Sequence, residues 1–249
     1  MLKEKIETVI YSESFCSLEK LARMHELVSL ASPVSEYLIS KDSNFIGYLR
    51  DFILPSNSDF LFLLLLENKT IGFSHIKTFE NELFLNKIYI DHENQGLGYG
   101  RQLLYESLKT VQKTKERQRF SLDVFETNKA ALGWYLKIGM TTQKKTYWCG
   151  ITTSSEPQHR PNDNFTISKD QHGFFGIFHK GVRIGSFINN RYIIQSPEHL
   201  SLFTKETLKN TCIKTEHPLV RFEDYYFKPV EISHRLSIDM KNLFSILTK

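Results

Sequence analysis

Asp91-His92-Glu93-Asn94-Gln95-Gly96-Leu97-Gly98-Tyr99-Gly100-Arg101 is the stretch that decides how this chain is read. Three glycines at alternate positions let a backbone approach a ligand where side chains would obstruct it. The stretch follows an apolar segment at residues 83–90. It leads into a helix predicted from Leu103, Leu104, Leu108 and Val111, which share one face. Free N–H groups and the helix dipole then converge on one point, which favours an anion, most often phosphate. A tight strand-to-helix turn with no ligand would have the same glycines, so the loop alone leaves both readings open.

Two phosphate loops are excluded by their spacing. No GxxxxGK[ST] string occurs. A GxGxxG dinucleotide fingerprint fails because Arg101 stands where its third glycine belongs, although Asp123 sits at a downstream strand end as that fingerprint would require. The segments upstream also argue against it. Strand-like runs at residues 60–66, 70–78 and 83–90 are joined by Glu67-Asn68-Lys69 and Glu80-Asn81-Glu82. Connections that short make antiparallel hairpins, because a parallel crossover needs a dozen residues or more.

Further out, residues 8–11 read as a first strand and residues 17–30 as a helix with Ser17 as N-cap. A less regular helical stretch covers about residues 34–53 and ends before Pro55. Downstream of the glycine loop come a strand at 119–124, a helix at 128–138 closed by Gly139, and a strand at 140–148. Residues 151–164, rich in Thr, Ser, Pro, Asn and Asp, read as a linker. Beyond it lie strands at 174–179, 182–187 and 191–194, a helix at 196–209 opened by Ser196-Pro197, and strands at 220–227 and 232–240.

The pattern Gln95-x-x-Gly98-x-Gly100, between a strand and a helix, resembles the pyrophosphate-binding motif of the GNAT superfamily of N-acetyltransferases. Lys87-Ile88-Tyr89-Ile90-Asp91-His92-Glu93-Asn94 is similar to the apolar strand with a polar end that precedes the motif in that family. Asn128-Lys129-Ala130-Ala131-Leu132-Gly133-Trp134-Tyr135-Leu136-Lys137-Ile138-Gly139-Met140 resembles the second family motif. The order of elements over residues 1–148 is the family's as well. The resemblance implies an α/β fold, a GNAT-like mixed and mostly antiparallel sheet flanked by helices, with a smaller α+β C-terminal lobe. It divides the chain into a GNAT-like acetyl-CoA-binding domain at 1–150 and a lobe at 160–249 that could be a degenerate half-GNAT unit. That lobe would either wall the acceptor site or act as a dimerisation element, which leaves a homodimer open.

The same resemblance implies an acyltransferase with acetyl-CoA as acyl-donor cosubstrate and no metal. Backbone N–H groups of Gln95, Gly96, Leu97, Gly98, Tyr99, Gly100 and Arg101 would cradle the pyrophosphate. The strand Ile88-Tyr89-Ile90 would pair with the pantetheine arm, with Asn128 and Ala131 on its other side. The Ile88 N–H would polarise the thioester carbonyl, and the Tyr135 hydroxyl would serve the leaving sulfur. Tyr135 on its own would read as a core tyrosine. The family often places a Glu or His on the strand before the loop, where this chain has Phe84 and Asn86. Asn86 cannot take a proton at neutral pH but can position a water. His75, Glu82 and Glu126 are the alternative bases, beside a water chain with no single base; His75 has the most suitable pKa but would equally fit a half-buried strand position.

Composition narrows the rest. The chain has 249 residues, 41% hydrophobic and 24% charged, as in ordinary globular proteins. Its net charge is +4, with 19 basic against 18 acidic residues up to Gly150 and 13 against 10 after it. Neither part has the basic face that nucleic-acid binding needs. The first ten residues have no signal-peptide core, and the strongest apolar run, 60–66, is far shorter than the ~20 residues of a membrane span. Cys16, Cys149 and Cys212 are scattered and odd in number, so a reducing cytoplasm is expected and no zinc site or disulfide framework. None falls in the motifs, which favours direct attack by the amine over an acetyl-enzyme. The expected acceptor is a small-molecule or peptide amine. A non-catalytic acyl-CoA sensor or interaction module is the alternative.

Overall fold

The computed structural model describes residues 5–153 and 165–248. Its strands are β1 (Ile6–Ile10), β2 (Asp59–Leu66), β3 (Lys69–Thr78), β4 (Glu82–Ile90), β5 (Arg119–Phe125) and β6 (Thr141–Thr153), then β7 (Phe165–Lys169), β8 (Phe175–His179), β9 (Val182–Ile188), β10 (Arg191–Ile194), β11 (Thr211–Thr215), β12 (Arg221–Phe222) and β13 (Tyr225–Asp239). The helices are α1 (Leu18–Leu27), α2 (Phe45–Tyr48), α3 (Tyr99–Thr114), α4 (Lys129–Lys137), α5 (Lys205–Leu208) and α6 (Met240–Leu247). All strands join one mixed, mostly antiparallel sheet flanked by helices, the fold class expected from the sequence.

The strand order is β1-β2-β3-β4-β5-β13-β6-β11-β10-β9-β8-β7, with β12 pairing on β13. It is palindromic in kind. Each half has four strands in antiparallel succession, then a parallel pair, β4 with β5 and β10 with β11. At the centre β6 and β13 pair antiparallel over most of their length. Each crosses to the other half: β13, from the C-terminus, pairs with β5, while β6 pairs with β11. Two glycines mark the same register in both halves. Gly72 lies opposite Ile90 and Gly185 opposite Ile194, each the last residue of its strand. A Cβ at Gly72 would fall 2.5 Å from the Tyr89 carbonyl oxygen, and one at Gly185 would fall 2.2 Å from that of Ile193. Both positions therefore need glycine for a close backbone approach.

The strands of the two halves therefore interleave at the centre of the sheet, β13 lying between β5 and β6. β6 runs straight through Gly150, so residues 151–153 of the linker expected at 151–164 are strand, and the rest of it lies outside the described residues. α6 packs on the first half: Leu243 and Leu247 share a buried cluster with Leu103, Leu104, Leu108 and Val111 of α3. The opposite face of that half buries α1 and α2 with Phe73. The second half has its own core around Ile177, Ile194, Leu200, Phe203 and Ile213.

Three sequence expectations change. The stretch 34–53 is not one helix; short 3-10 turns at Ser35–Tyr37 and Ile39–Lys41 precede α2 and a π turn at Leu49–Ile53. Asp42 Oδ1 accepts the Asn44 N–H at 2.8 Å, a local turn that competes with helix continuation. The expected helix at 196–209 is a 3-10 turn (Pro197–Leu202) and α5, broken where Phe203 enters the core and Thr204 caps a new turn. The strands expected at 220–227 and 232–240 are largely the single long β13, with a bulge at Val230.

Candidate acyl-transfer site

β4 and β5 run in parallel register from Glu82 opposite Arg119 to Leu85 opposite Leu122, and their pairing ends there. β4 continues to Ile90 and β5 to Phe125, so beyond this point one backbone edge of β4 has no partner strand in β5. A cavity of about 390 Å³ opens in the gap, within the ordinary range for small-molecule sites. Ile88 of β4, Asn128, Ala131 and Tyr135 of the α4 segment, and Trp148 of β6 all line it.

The glycine loop lies at the end of β4. Gly96 and Gly98 have φ of 77° and 85°, and a Cβ at either would meet nothing within 4 Å. Gly98 caps α3, and the first helical bond there is Gln102 N–H to the Gly98 carbonyl. The N–H groups of the first turn are therefore free of intrahelical partners and aligned with the positive end of the dipole. The Gln95 side chain ties the loop to its strand by donating to the Ile90 carbonyl at 2.8 Å. An open cradle of this kind fits a pyrophosphate. Leu97 is well exposed, and Tyr99 packs against the α3 core.

Arg101 is placed differently from the simplest expectation. Its guanidinium donates to the Ile246 carbonyl at 2.8 Å and the Leu247 carbonyl at 3.0 Å, capping the C-terminus of α6. Its Nε and Nη2 are taken up there, so the side chain is held by α6. Asn128 caps α4 by accepting the Ala131 N–H at 3.2 Å, which leaves its amide NH₂ for the cavity. Burial of Tyr135 raises its pKa far above the ordinary phenol value, so it stays protonated. Tyr89 turns to the α1 face, away from the α3 cluster that takes Ile88 and Ile90.

The base candidates separate. His75 is buried and lines no part of the cavity, but it stands between two polar partners. Its Nε2 is 2.7 Å from Asp59 Oδ1, and Asn86 Nδ2 is 2.9 Å from its Nδ1. Burial would raise the Asp59 carboxyl, but the bonds from His75 and Ser56, with Lys77 nearby, outweigh it and leave the pKa at about 2. The carboxylate is thus ionised and accepts from Nε2–H. Burial lowers the pKa of His75 more than Asp59 raises it, so its neutral Nδ1 accepts from Asn86. Asn86 is the extra residue of a β-bulge between His75 opposite Lys87 and Ile76 opposite Leu85. The bulge re-aims it, and Asn86, not His75, lines the cavity. Glu82 sits at the closed, paired end of β4, and Glu126 is 3.7 Å from His234 outside the cavity wall.

Sequence reasoning missed several lining residues. Lys87, next to the bulge, donates to Ser29 Oγ at 3.0 Å, and burial brings its pKa down to about 8. Asn86-Lys87 interrupts an otherwise apolar strand, a signal of the bulge. Arg235 of β13 holds Asp123 in a bidentate pair, Nε donating to Oδ1 and Nη2 to Oδ2, and Lys214 of β11 stands 4.4 Å from the centre of the Trp148 ring. No local pattern marks these, because they come from the distant half. Glu231, also of β13, is buried beneath the second motif. It accepts from Ser32 Oγ at 2.8 Å and from both the hydroxyl and the N–H of Thr127, the residue before Asn128.

A parted parallel strand pair, a glycine loop at the end of one of its strands and a buried tyrosine on the cavity wall make up the candidate site. Residues 21–140 match the model of the acetyltransferase (GNAT) family, so this segment is a GNAT acetyltransferase domain, which makes the protein an acyltransferase. Solved structures extend the likeness of fold along the chain. A tandem GNAT protein from the clavulanic acid biosynthesis pathway superposes with a TM-score of 0.62 at 11% identity, covering 94% of this chain and 98% of that one. An acetyltransferase described as putative, from Pyrococcus horikoshii, gives 0.62 at 12% identity, covering 98% and 92%. A GCN5-related N-acetyltransferase from Sphaerobacter thermophilus gives 0.56 at 10%, covering 96% and 97%. A search of curated proteins finds no match to this sequence. No helix among the described residues is long and apolar enough to cross a membrane.

Proposed function

We propose that this protein moves the acetyl group of acetyl-CoA to a primary amine by direct attack. The observation that carries the reading is the gap beyond Leu85 and Leu122, with the glycine loop at one end and Tyr135 on its wall. The loop N–H groups from Gln95 to Arg101 hold the pyrophosphate, and the free edge of β4 at Ile88 and Ile90 pairs with the pantetheine arm. Asn128 and Ala131 close the other side.

The Ile88 N–H polarises the thioester carbonyl. The acceptor nitrogen attacks that carbon, the N–C bond forms and the C–S bond breaks. Tyr135 gives its phenolic proton to the departing sulfur, and the amine proton leaves through water held by Asn86. Asp59 and His75 fix the Asn86 carboxamide, so its oxygen is turned to accept from that water or the amine. His75 in this scheme is a positioning residue, and Glu82 has no part in it.

The C-terminal half is read as a degenerate copy of the first. Its support is the palindromic strand order, the paired glycines Gly72 and Gly185, and the parallel pair β10–β11. The connection between β10 and β11 has short turns in place of a glycine loop and long helix, so a single donor site is expected. Three buried free thiols fit a reducing cytoplasm.

The test is release of free thiol from acetyl-CoA with a panel of amines, using wild type and Tyr135→Phe. The expected result is a fall in kcat of roughly 10²-fold in the variant, with acetyl-CoA affinity unchanged. A wild type that binds acetyl-CoA but acetylates no amine would favour the sensor reading.

A further inference from the structure

The described residues that line the cavity carry more positive than negative charge. Three cations line it, Lys87, Lys214 and Arg235, and the only acid among the described lining residues is Asp123. Arg235 holds both oxygens of Asp123 in a closed pair, which accounts for one charge of each sign. Lys87 reaches only the neutral hydroxyl of Ser29, and Lys214 rests on the face of Trp148. Neither lysine has a carboxylate within salt-bridge distance among the described residues. Burial lowers the pKa of both, Lys87 to about 8, and at Lys214 the nearby Asp123, already held by Arg235, offsets burial only in part. An anionic ligand group would relieve that cost.

The coenzyme does not supply this anion. Its phosphates belong to the glycine loop, at the far end of the strand edge that carries the pantetheine arm, while Lys214 and Trp148 come from the opposite, C-terminal side of the gap. We infer that the acceptor is a primary amine bearing at least one carboxylate, seated between Lys87 of the first half and Lys214 of the second. This rests on the transferase reading for the word acceptor, but the cavity's preference for an anion can be read without turnover. It also gives the second half a task, since Lys214 on β11 and Arg235 on β13 both come from the C-terminal third of the chain.

The experiment has two arms. Calorimetry on the CoA-loaded protein compares N-acetyl-L-aspartate with its uncharged diamide, which have the same size and product-like amide. Acetyl-CoA turnover compares acidic and neutral L-amino acids with their carboxamides. The expected result is a preference of at least about tenfold for the carboxylates in both arms, one salt-bridged contact's worth. Lys214→Met, which keeps the stem over Trp148, should abolish the preference, and Lys214→Arg should restore part of it. Lys87→Met serves as a second probe if Lys214→Met lowers the melting temperature. Equal binding of acid and diamide, or a preference that survives both methionine variants, would overturn the inference. Anion-selective binding without turnover would sink the transferase reading, and with it the acceptor, while leaving the anion site; turnover blind to charge would sink the anion site and leave the transferase.

Discussion

The Asn86 carboxamide donates to Nδ1 of His75 at 2.9 Å, and the same ring gives its other nitrogen to Asp59 at 2.7 Å. A buried histidine thereby orients a bulge residue that faces the cavity, although it does not line the cavity itself. Asn86→Ala should lower kcat by about 10²-fold, the order expected when a positioned group is lost, with acetyl-CoA affinity unchanged. Asp59→Asn should give a smaller loss in the same direction, because it frees the imidazole to turn. Steady-state kinetics beside calorimetry checks this; equal losses of donor binding in both variants would mean the chain of residues only supports the fold.

The last helix is part of the first half's core. Leu243 is fully buried against α3, and Arg101 caps the final carbonyls of α6. Leu243→Ala should cost about 2–5 kcal/mol, the usual range for a core leucine. Arg101→Ala should cost about 1 kcal/mol. Denaturant unfolding followed by tryptophan fluorescence measures both.

Stability should fall as the pH drops below about 6.5. His25, His75 and His234 are buried, and burial lowers each pKa in the folded state. Each binds its proton more readily when unfolded, so the unfolded state gains protons first as pH falls. The slope is up to ~1.4 kcal/mol per pH unit for each such group. Asp59, held at about 2, adds to the loss below its unfolded pKa near 4. Thermal melts between pH 8 and 5 should show a falling midpoint; a flat profile would contradict the lowered pKa of the buried imidazoles.

What was legible in the sequence was local. The loop at Gln95–Gly100 and the motif from Asn128 to Met140 each span one strand end or one helix, so the residues that carry the family resemblance lie within short stretches of sequence. The hairpins followed from turns too short for any crossover. The central sheet pairing was not legible, because β13 reaches β5 across more than a hundred residues and its register depends on the bulge at Val230. For the same reason Lys214, Arg235 and Glu231 carried no local signal. His75 was named as a base, yet its two partners could be known only once β2, β3 and the bulge in β4 were side by side. The helix expected at 196–209 failed because Phe203 is drawn into the second core, an interaction that helical periodicity cannot register.

The most direct test is acetyl-CoA binding by calorimetry, with wild type beside Gly100→Ala and Gly100→Asp. Gly100 has no positive φ, and a Cβ there meets only Ile90 Cγ1 at 3.8 Å. Alanine should therefore leave folding and binding intact. Aspartate suits the first turn of a helix and should keep the fold, but its charge opposes the pyrophosphate. The expected result is saturable binding by wild type and Gly100→Ala, weakened at least tenfold in Gly100→Asp at an unchanged melting temperature. Absence of binding by folded wild type, or equal binding by all three proteins, would mean that the loop is a turn and the donor site lies elsewhere.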